Sequence, residues 1–346
     1  MQLALGTEPR SEYMAFELGQ AAVKLVRDVF PIKAGENVVV TADTTTDARV
    51  VNATAQAVYA VGAHPVVIHY EALPNVAMMP PAPVAAALKA ADAWIEYAPA
   101  YLLHGPAHRD AMSAGCRMLC LTAVDADAMV RTIGRPDYMA MDEFREKIRA
   151  LSQSADEMRL SSPAGTDLTA KVDHDAKPFF RPASGKGYSQ MLGGQSGFSH
   201  LVDTVEGTLV FDGTIYPPTD LGVPRTPVSM QIEHGYIRRV SGGSEANRFE
   251  RWLASFNSPL MYQIAHLSYG FNPGVTRCSG RIAEDERVFG CLDIGIGITS
   301  RGAPTHTDGI VLDASVWADH MQLEDEGRYV HPELTALCKR MGAPGY

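Results

Sequence analysis

Hydrophobic and polar positions follow two kinds of periodicity over the first half of the chain. Short runs rich in apolar residues predict strands, and the run at residues 38–40 is continuous and predicts a buried one. The others lie at residues 65–68, 94–97 and 118–121. Apolar positions at helical spacing predict helices between and around these runs. They lie at residues 12–30, 43–60, 83–91, 107–114 and 125–153. Strands that alternate with helices form βαβ units, so we predict an α/β domain with a parallel sheet over residues 1–157.

The pattern changes near residue 157. Residues 159–172 predict a hairpin whose turn is Pro163-Ala164-Gly165. Short apolar and β-branched runs predict further strands at 208–211, 228–232 and 236–240, with a helix over 245–255 after them. Residues 288–298 hold three glycines among apolar residues, which is typical of a strand with close backbone contacts. We therefore predict a β-rich α+β domain over residues 158–346.

Composition and charge narrow the class of protein. The 346 residues are 46% hydrophobic and 20% charged, as in globular proteins of one large or two ordinary domains. A net charge of -10 argues against nucleic acid or an anionic membrane as a partner. The chain contains no apolar run of 18 residues, so we expect no transmembrane helix. Its first residues lack the basic and apolar regions of a signal peptide.

The cysteines point to a reducing compartment. The chain has five of them, an odd number, and no pair has Cys-x2-Cys spacing. A disulfide framework or a structural zinc knuckle is therefore not expected. We expect free thiols in a cytoplasmic protein.

His306 and Asp308 form the most informative short motif. The apolar residues after them favour an extended strand, in which residues two apart point to the same face. An imidazole and a carboxylate would then lie side by side and could share one metal ion. A second histidine would complete a 2-His-1-carboxylate site, which leaves positions open for substrate and O2. The alternative is a polar turn pair before a strand.

Four segments of the second half, taken in order, resemble the M29 family of metallo-aminopeptidases. They are residues 162–169, 206–213, 264–273 and 306–309. The first half is similar to that family in its α/β pattern alone. The resemblance implies an α/β parallel-sheet domain followed by a metal-binding, β-rich catalytic domain.

Departures from the M29 pattern affect the metal site. The family usually has a Glu where this chain has Gln195 or Ser196, and a second Glu where it has His266. It usually has a His where this chain has Asp293. Carboxylate ligands allow two dications to lie close together, so their loss argues against a two-metal site.

The remaining set of His266, His306 and Asp308 resembles that of the 2,5-dihydroxypyridine 5,6-dioxygenases, a mononuclear iron group on the M29 fold. The resemblance implies one Fe(II) per chain, held by these three residues. It also implies ring opening of a dihydroxylated pyridine by O2, and a homo-oligomer. Two alternatives are an M29-type metallo-aminopeptidase with a reduced metal site and a catalytically inactive binding protein on the same fold.

Four further residues are candidates for contact with the substrate. His104 follows the third predicted strand, at the end of a parallel sheet where chemistry is usually found, and could be the general base. Its alternative role is a loop histidine bonded to a backbone carbonyl. His200 follows a glycine-rich loop and could enter the pocket. Ser300 and Arg301 precede the His306 segment and could bond a ring hydroxyl or a carboxylate.

Overall fold

The computed structural model describes residues 13–176 and 185–346. Within these ranges the chain divides into two compact units. The first comprises residues 13–135 and 185–192, and the second comprises residues 136–176 and 193–346. No helix of the described ranges is both long enough and apolar enough to span a membrane.

The helices of the described residues are mostly short. In chain order they are α1 (Ala15–Lys24), α2 (Ala48–Ala60), α3 (Ala82–Ala90), α4 (Pro106–Ser113), α5 (Ala126–Met129), α6 (Tyr138–Gln153), α7 (Ser244–Ser255), α8 (Ile282–Asp285) and α9 (Pro332–Met341). Their ends follow local chemistry. The side chain of Asp47 accepts a hydrogen bond from the Arg49 amide and so caps α2, and Asp137 caps α6 in the same way. Pro106 occupies the first turn of α4, where a missing N–H costs nothing.

The strands run in chain order as follows. They are β1 (Asn37–Asp43), β2 (His64–Tyr70), β3 (Ala93–Glu96), β4 (Arg117–Cys120), β5 (Glu157–Ser161), β6 (Asp167–Lys171), β7 (Ser189–Met191), β8 (Gln195–Phe198), β9 (Glu206–Phe211), β10 (Ile215–Tyr216), β11 (Val228–Glu233), β12 (Tyr236–Ser241), β13 (Ile264–Gly270), β14 (Cys291–Ile296), β15 (Thr307–Val311), β16 (Ser315–Ala318), β17 (Met321–Asp325) and β18 (Arg328–Tyr329).

The first unit is built on a parallel sheet with strand order β2-β1-β3-β4-β7. The continuous apolar runs of β1, β3 and β4 are buried, as expected for inner strands of such a sheet. Trp94 of β3 is fully buried, and its indole N–H donates to the Thr41 hydroxyl at 2.7 Å. Alternating strands and helices thus form the predicted parallel sheet.

The second unit contains two antiparallel sheets. One has the order β10-β15-β14-β13-β8, and the other has the order β12-β11-β9-β6-β5-β16-β17-β18. The predicted hairpin over 159–172 is confirmed as β5 and β6. The strands predicted at 208–211, 228–232 and 236–240 are confirmed as β9, β11 and β12. The fold class, a parallel-sheet α/β part with a β-rich α+β part, is confirmed.

The division into units differs from the boundary expected after residue 157. Helix α6 packs on α9 of the second unit, and the Ser152 hydroxyl lies 2.8 Å from the Tyr269 hydroxyl. Conversely, β7 comes from the later part of the chain but pairs with β4 of the first unit. Its residues, Ser189, Gln190 and Met191, are only partly buried and do not form an apolar run, so the sequence pattern does not predict this strand.

Candidate metal centre

Three adjacent strands bring the candidate ligands together. His266 of β13 is in register with Gly295 of β14, and Gly295 is in register with Asp308 of β15. His306 lies directly before β15, two residues from Asp308. The three side chains meet over Gly295, although His266 and His306 are far apart in sequence.

The donor atoms of these residues form a nearly equilateral triangle. His266 Nε2 lies 3.2 Å from His306 Nε2 and 3.0 Å from Asp308 Oδ1, and His306 Nε2 lies 2.9 Å from Asp308 Oδ1. Donors at about 2.1 Å from one ion and at right angles to each other are about 3.0 Å apart. The triangle therefore fits one face of an octahedral site. Among the described residues, this is the one group of three that could hold a metal ion.

Hydrogen bonds on the far side of each ring select the ligand atom. His306 Nδ1 lies 2.8 Å from the carbonyl oxygen of Gly297, which can only accept, so Nδ1 carries the proton. The Nε2 atom of neutral His306 then presents a lone pair to the triangle. His266 Nδ1 lies 3.2 Å from the Ser268 hydroxyl oxygen, a contact that orients the second ring. Three atoms that converge in this way can together bind a cation.

Gly295 creates the space over which the rings meet. A Cβ at this position would lie 2.3 Å from His266 Nε2 and 2.6 Å from His306 Cε1. These distances are far inside van der Waals contact, so only glycine allows both rings their positions. The two rings stack with their centroids 5.2 Å apart. The close backbone contact predicted for segment 288–298 is confirmed at this residue.

The electrostatics of the triangle follow from burial and opposite charge. Burial by itself would lower the pKa of His306, but the Asp308 carboxylate and the Gly297 carbonyl outweigh it and raise that pKa to about 9. Burial would raise the pKa of Asp308, but the two imidazoles outweigh it and hold that pKa well below its usual range. The site thus stabilises positive charge beside an ionised carboxylate.

A buried carboxyl group lies behind His266. Asp293 is fully buried, and its Oδ2 accepts a hydrogen bond from Gln195 Nε2 at 2.5 Å and lies 3.8 Å from His266 Nδ1. Burial, with repulsion from Asp308 and Glu286, raises the pKa of Asp293 well above its usual value. Its Oδ1 has no hydrogen-bond partner within the described residues. Two of the positions at which the sequence departs from M29, Gln195 and Asp293, are thus hydrogen-bonded to each other.

His200, one of the candidate substrate contacts, lies close enough to His266 for the charge of that ligand to affect its pKa. Burial, with the nearby charges of His266 and Arg301, lowers the pKa of His200 to about 4. Its Nε2 is buried and, within the described ranges, has no hydrogen-bond partner. Ser300 and Arg301 lie on the exposed turn Thr299–Arg301, which leads into the His306 segment.

His104 belongs to the first unit, whereas the three candidate ligands belong to the second unit. It occupies a tight turn after β3 with a positive φ of 66°, an uncommon backbone conformation for a residue other than glycine. Its ring centroid is 6.0 Å from that of His108. Its role as a base stays a prediction.

Sequence reasoning missed the residues that orient the imidazoles. Ser268 and the Gly297 carbonyl were not singled out, and Gly295 was not connected to the ligands. One signal was available, because Ser268 lies two residues after His266 and therefore on the same face of a strand. No sequence signal identifies a backbone carbonyl such as that of Gly297.

Two imidazole nitrogens and one carboxylate oxygen on one face are the donor set of mononuclear facial-triad enzymes. Comparisons with known proteins identify the family to which this chain belongs. The sequence profile of the NicX family, described as 2,5-dihydroxypyridine 5,6-dioxygenase, matches residues 22–291. A 2,5-dihydroxypyridine 5,6-dioxygenase of Pseudomonas putida strain KT2440 is 26% identical over 270 residues, which cover 71% of this chain and 73% of that protein.

The chain belongs to the 2,5-dihydroxypyridine 5,6-dioxygenase family. This confirms the resemblance seen in the sequence and the prediction of an enzyme of the ring-cleaving dioxygenase type. The matched residues include His104, His200 and His266 but end before His306 and Asp308. The completeness of the candidate metal centre therefore depends on the geometry described above.

Solved structures agree on the fold. A 2,5-dihydroxypyridine dioxygenase from Pseudomonas putida KT2440 aligns with a TM-score of 0.73 and 21% identity, covering 93% of this chain and 99% of that one. AmpT from Thermus thermophilus, an M29 aminopeptidase, aligns with a TM-score of 0.65 and 15% identity, covering 92% of this chain and 100% of that one. The M29-type fold that the sequence implied is confirmed.

Proposed function

We propose that this protein is a mononuclear Fe(II) dioxygenase that opens the ring of 2,5-dihydroxypyridine to give an N-formylmaleamate-type product. The observation that carries the proposal is the triangle of His266, His306 and Asp308, whose donor atoms lie 2.9 to 3.2 Å apart. Family membership supports the substrate. Both atoms of one O2 enter the product and one ring bond breaks, so the reaction needs no further oxidant.

The donor set supports iron as the resident metal. Imidazole and carboxylate together, with open positions on the other side, are typical of non-haem Fe(II) oxygenases. A bound Fe(II) ion would supply the one-electron chemistry that lets O2 react with the ring. The three residues would hold one face of such an ion and would leave its other positions to substrate and O2. One triangle in each chain supports one Fe(II) per chain.

Several residues of the chain would bind and orient the ring. His200 is uncharged near neutral pH, because its pKa is about 4, so its free Nε2 can exchange a hydrogen bond with a ring hydroxyl. Ser300 and Arg301 offer further donors from an exposed turn. These contacts would place the ring for attack, which contributes to rate by orientation.

His104 is proposed as the base that takes the proton of a ring hydroxyl. Its strained turn supports this role, since uncommon backbone conformations cluster at functional sites. A general base contributes about 100- to 10,000-fold to rate. His104→Ala should therefore lower kcat by that order with iron content unchanged, and the loss should shrink at high pH as the hydroxyl ionises unaided. Loss of iron in His104→Ala would show that His104 is a metal ligand instead. Wild-type activity in that variant would show that His104 is an ordinary loop histidine.

The decisive experiment measures metal and oxygen together. Anaerobically purified protein should contain one Fe per chain, consume one O2 per dihydroxypyridine and bleach the near-ultraviolet absorbance of the ring. The Asp308→Ala protein, analysed in parallel, should contain no iron, consume no O2 and leave the ring absorbance unchanged. The likeness to AmpT favours one other candidate, an M29-type metallo-aminopeptidase. Two Zn or Co per chain and leucine release from dipeptides without oxygen uptake would favour that peptidase instead.

We further propose a cytoplasmic homo-oligomer. The five cysteines are all free, which supports a reducing compartment. The assembly is implied by the family resemblance. Sedimentation of the purified protein tests it, and a single chain at micromolar concentration would contradict it.

A further inference from the structure

We propose that Glu96 is a positioning residue for His104. Its buried carboxyl holds the backbone of the turn that carries the imidazole, and so determines where that ring points. The inference rests on the proposed role of His104 as a base, and it concerns the first unit alone.

Glu96 is the last residue of β3 and is fully buried. Its Oε1 accepts a hydrogen bond from the backbone N–H of Leu102 at 2.8 Å, and the N–H of Leu103 also donates to the carboxyl group. The thiol of Cys120, at the end of β4, lies 3.6 Å from Oε2. One side chain thereby ties two strand ends to the segment that precedes His104.

The turn held by Glu96 is tight and strained. The Gly105 amide donates to the Leu102 carbonyl at 2.9 Å, so His104 is the third residue of a four-residue turn. Such a turn with a positive φ at its third residue normally has glycine there. His104 has a φ of 66°, a conformation that is unfavourable for residues other than glycine. It persists only where the surroundings hold it.

Other contacts hold the turn from its remaining sides. The guanidinium of Arg109 donates to the His104 carbonyl at 2.6 Å, and the Ala77 amide donates to the Tyr101 carbonyl at 2.7 Å. A Cβ on Gly105 would lie 2.6 Å from the Ala77 carbonyl oxygen, so the turn also lies directly on that backbone. Glu96 supplies the contact from the sheet side. Without its acceptor, two buried N–H groups would lose their partner, and the turn could relax toward a negative φ at His104.

The test is a double-mutant cycle with a conservative variant. Glu96→Ala should lower kcat about 10- to 100-fold, because a displacement of about 1 Å costs on that order. Glu96→Gln should stay within about threefold of wild type, because its amide oxygen still accepts from Leu102. The double variant Glu96→Ala with His104→Ala should be no slower than His104→Ala alone. Iron content should match wild type throughout.

The pH profile separates positioning from a general loss of structure. If Glu96 acts through His104, the kcat deficit of Glu96→Ala should shrink at high pH, as it does for His104→Ala. Glu324→Ala is a matched control, since Glu324 is also a fully buried carboxyl but lies in the second unit. Its kcat should stay within about threefold of wild type. An equal fall in this control would overturn the inference.

The outcomes distinguish the inference from the proposed function. A wild-type kcat in His104→Ala would show that His104 is not the base, and the inference about Glu96 would then fail as well. A slow His104→Ala beside a wild-type Glu96→Ala would overturn the inference alone, as would a double variant slower than His104→Ala. If Glu96→Ala does not fold, Glu96→Met keeps the volume without the acceptor and is judged by the same criteria.

Discussion

Replacing Gly295 by alanine should disable the metal centre while leaving the fold in place. The new Cβ would lie 2.3 Å from His266 Nε2, whereas ordinary contact begins at 3.4 Å, so that ring must retreat by about 1.1 Å. Metal–ligand distances tolerate about 0.2 Å, and changes in the groups that hold a ligand in place typically cost about 10- to 100-fold in metal affinity. The expected loss of Fe(II) affinity is therefore about 100-fold, or about 2.8 kcal/mol.

The assay compares iron content after anaerobic reconstitution with oxygen uptake and circular dichroism. Two other glycines provide controls. Gly309→Ala would place a Cβ 2.2 Å from the Phe211 ring, so it should lower stability but spare iron binding in the folded fraction. Gly19→Ala in α1 meets no atom within 4 Å and should be neutral or stabilising. Full iron and wild-type kcat in Gly295→Ala would refute the account of the site.

Three further predictions follow from the structure. Alanine in place of any one of His266, His306 or Asp308 should remove iron or abolish turnover, because a three-ligand site has no spare donor; a His266→Ala protein with full iron and activity would contradict the ligand set. Ser268→Ala should weaken iron affinity about 10- to 100-fold, measured by chelator competition, because Nδ1 of His266 loses its partner; unchanged affinity would exclude that role. Burial raises the pKa of Glu96 from 4.5 to about 8, so the folded state binds the proton more tightly than the unfolded chain. The contribution of Glu96 to stability should accordingly be fully present below pH 4.5 and fall by up to about 5 kcal/mol as pH rises toward 8. Denaturant unfolding at pH 5 and 8.5 should show this fall in wild type and a smaller one in Glu96→Gln, and parallel pH dependences would contradict it.

Local sequence pattern predicted most elements of the first unit within a few residues. The run predicted as a strand at 38–40 lies inside β1, and the helix predicted over 107–114 is α4, Pro106–Ser113. These segments succeed because buried strands of a parallel sheet are apolar on both faces. Strand β7 was missed because two of its three residues are polar and all three are only partly buried. Its extended conformation is stabilised by pairing with β4, which local sequence does not predict.

The sequence by itself determined the pair His306 and Asp308, because residues two apart share a face wherever the backbone is extended. It also determined the fold family, through motifs spread along the second half. The family resemblance named His266, but only the tertiary structure decided that it meets that pair over Gly295, with Ser268 and the Gly297 carbonyl orienting the rings. The physical reason is that strand order and register are long-range pairings. A periodicity of two fixes which face a side chain occupies but not which strand lies beside it.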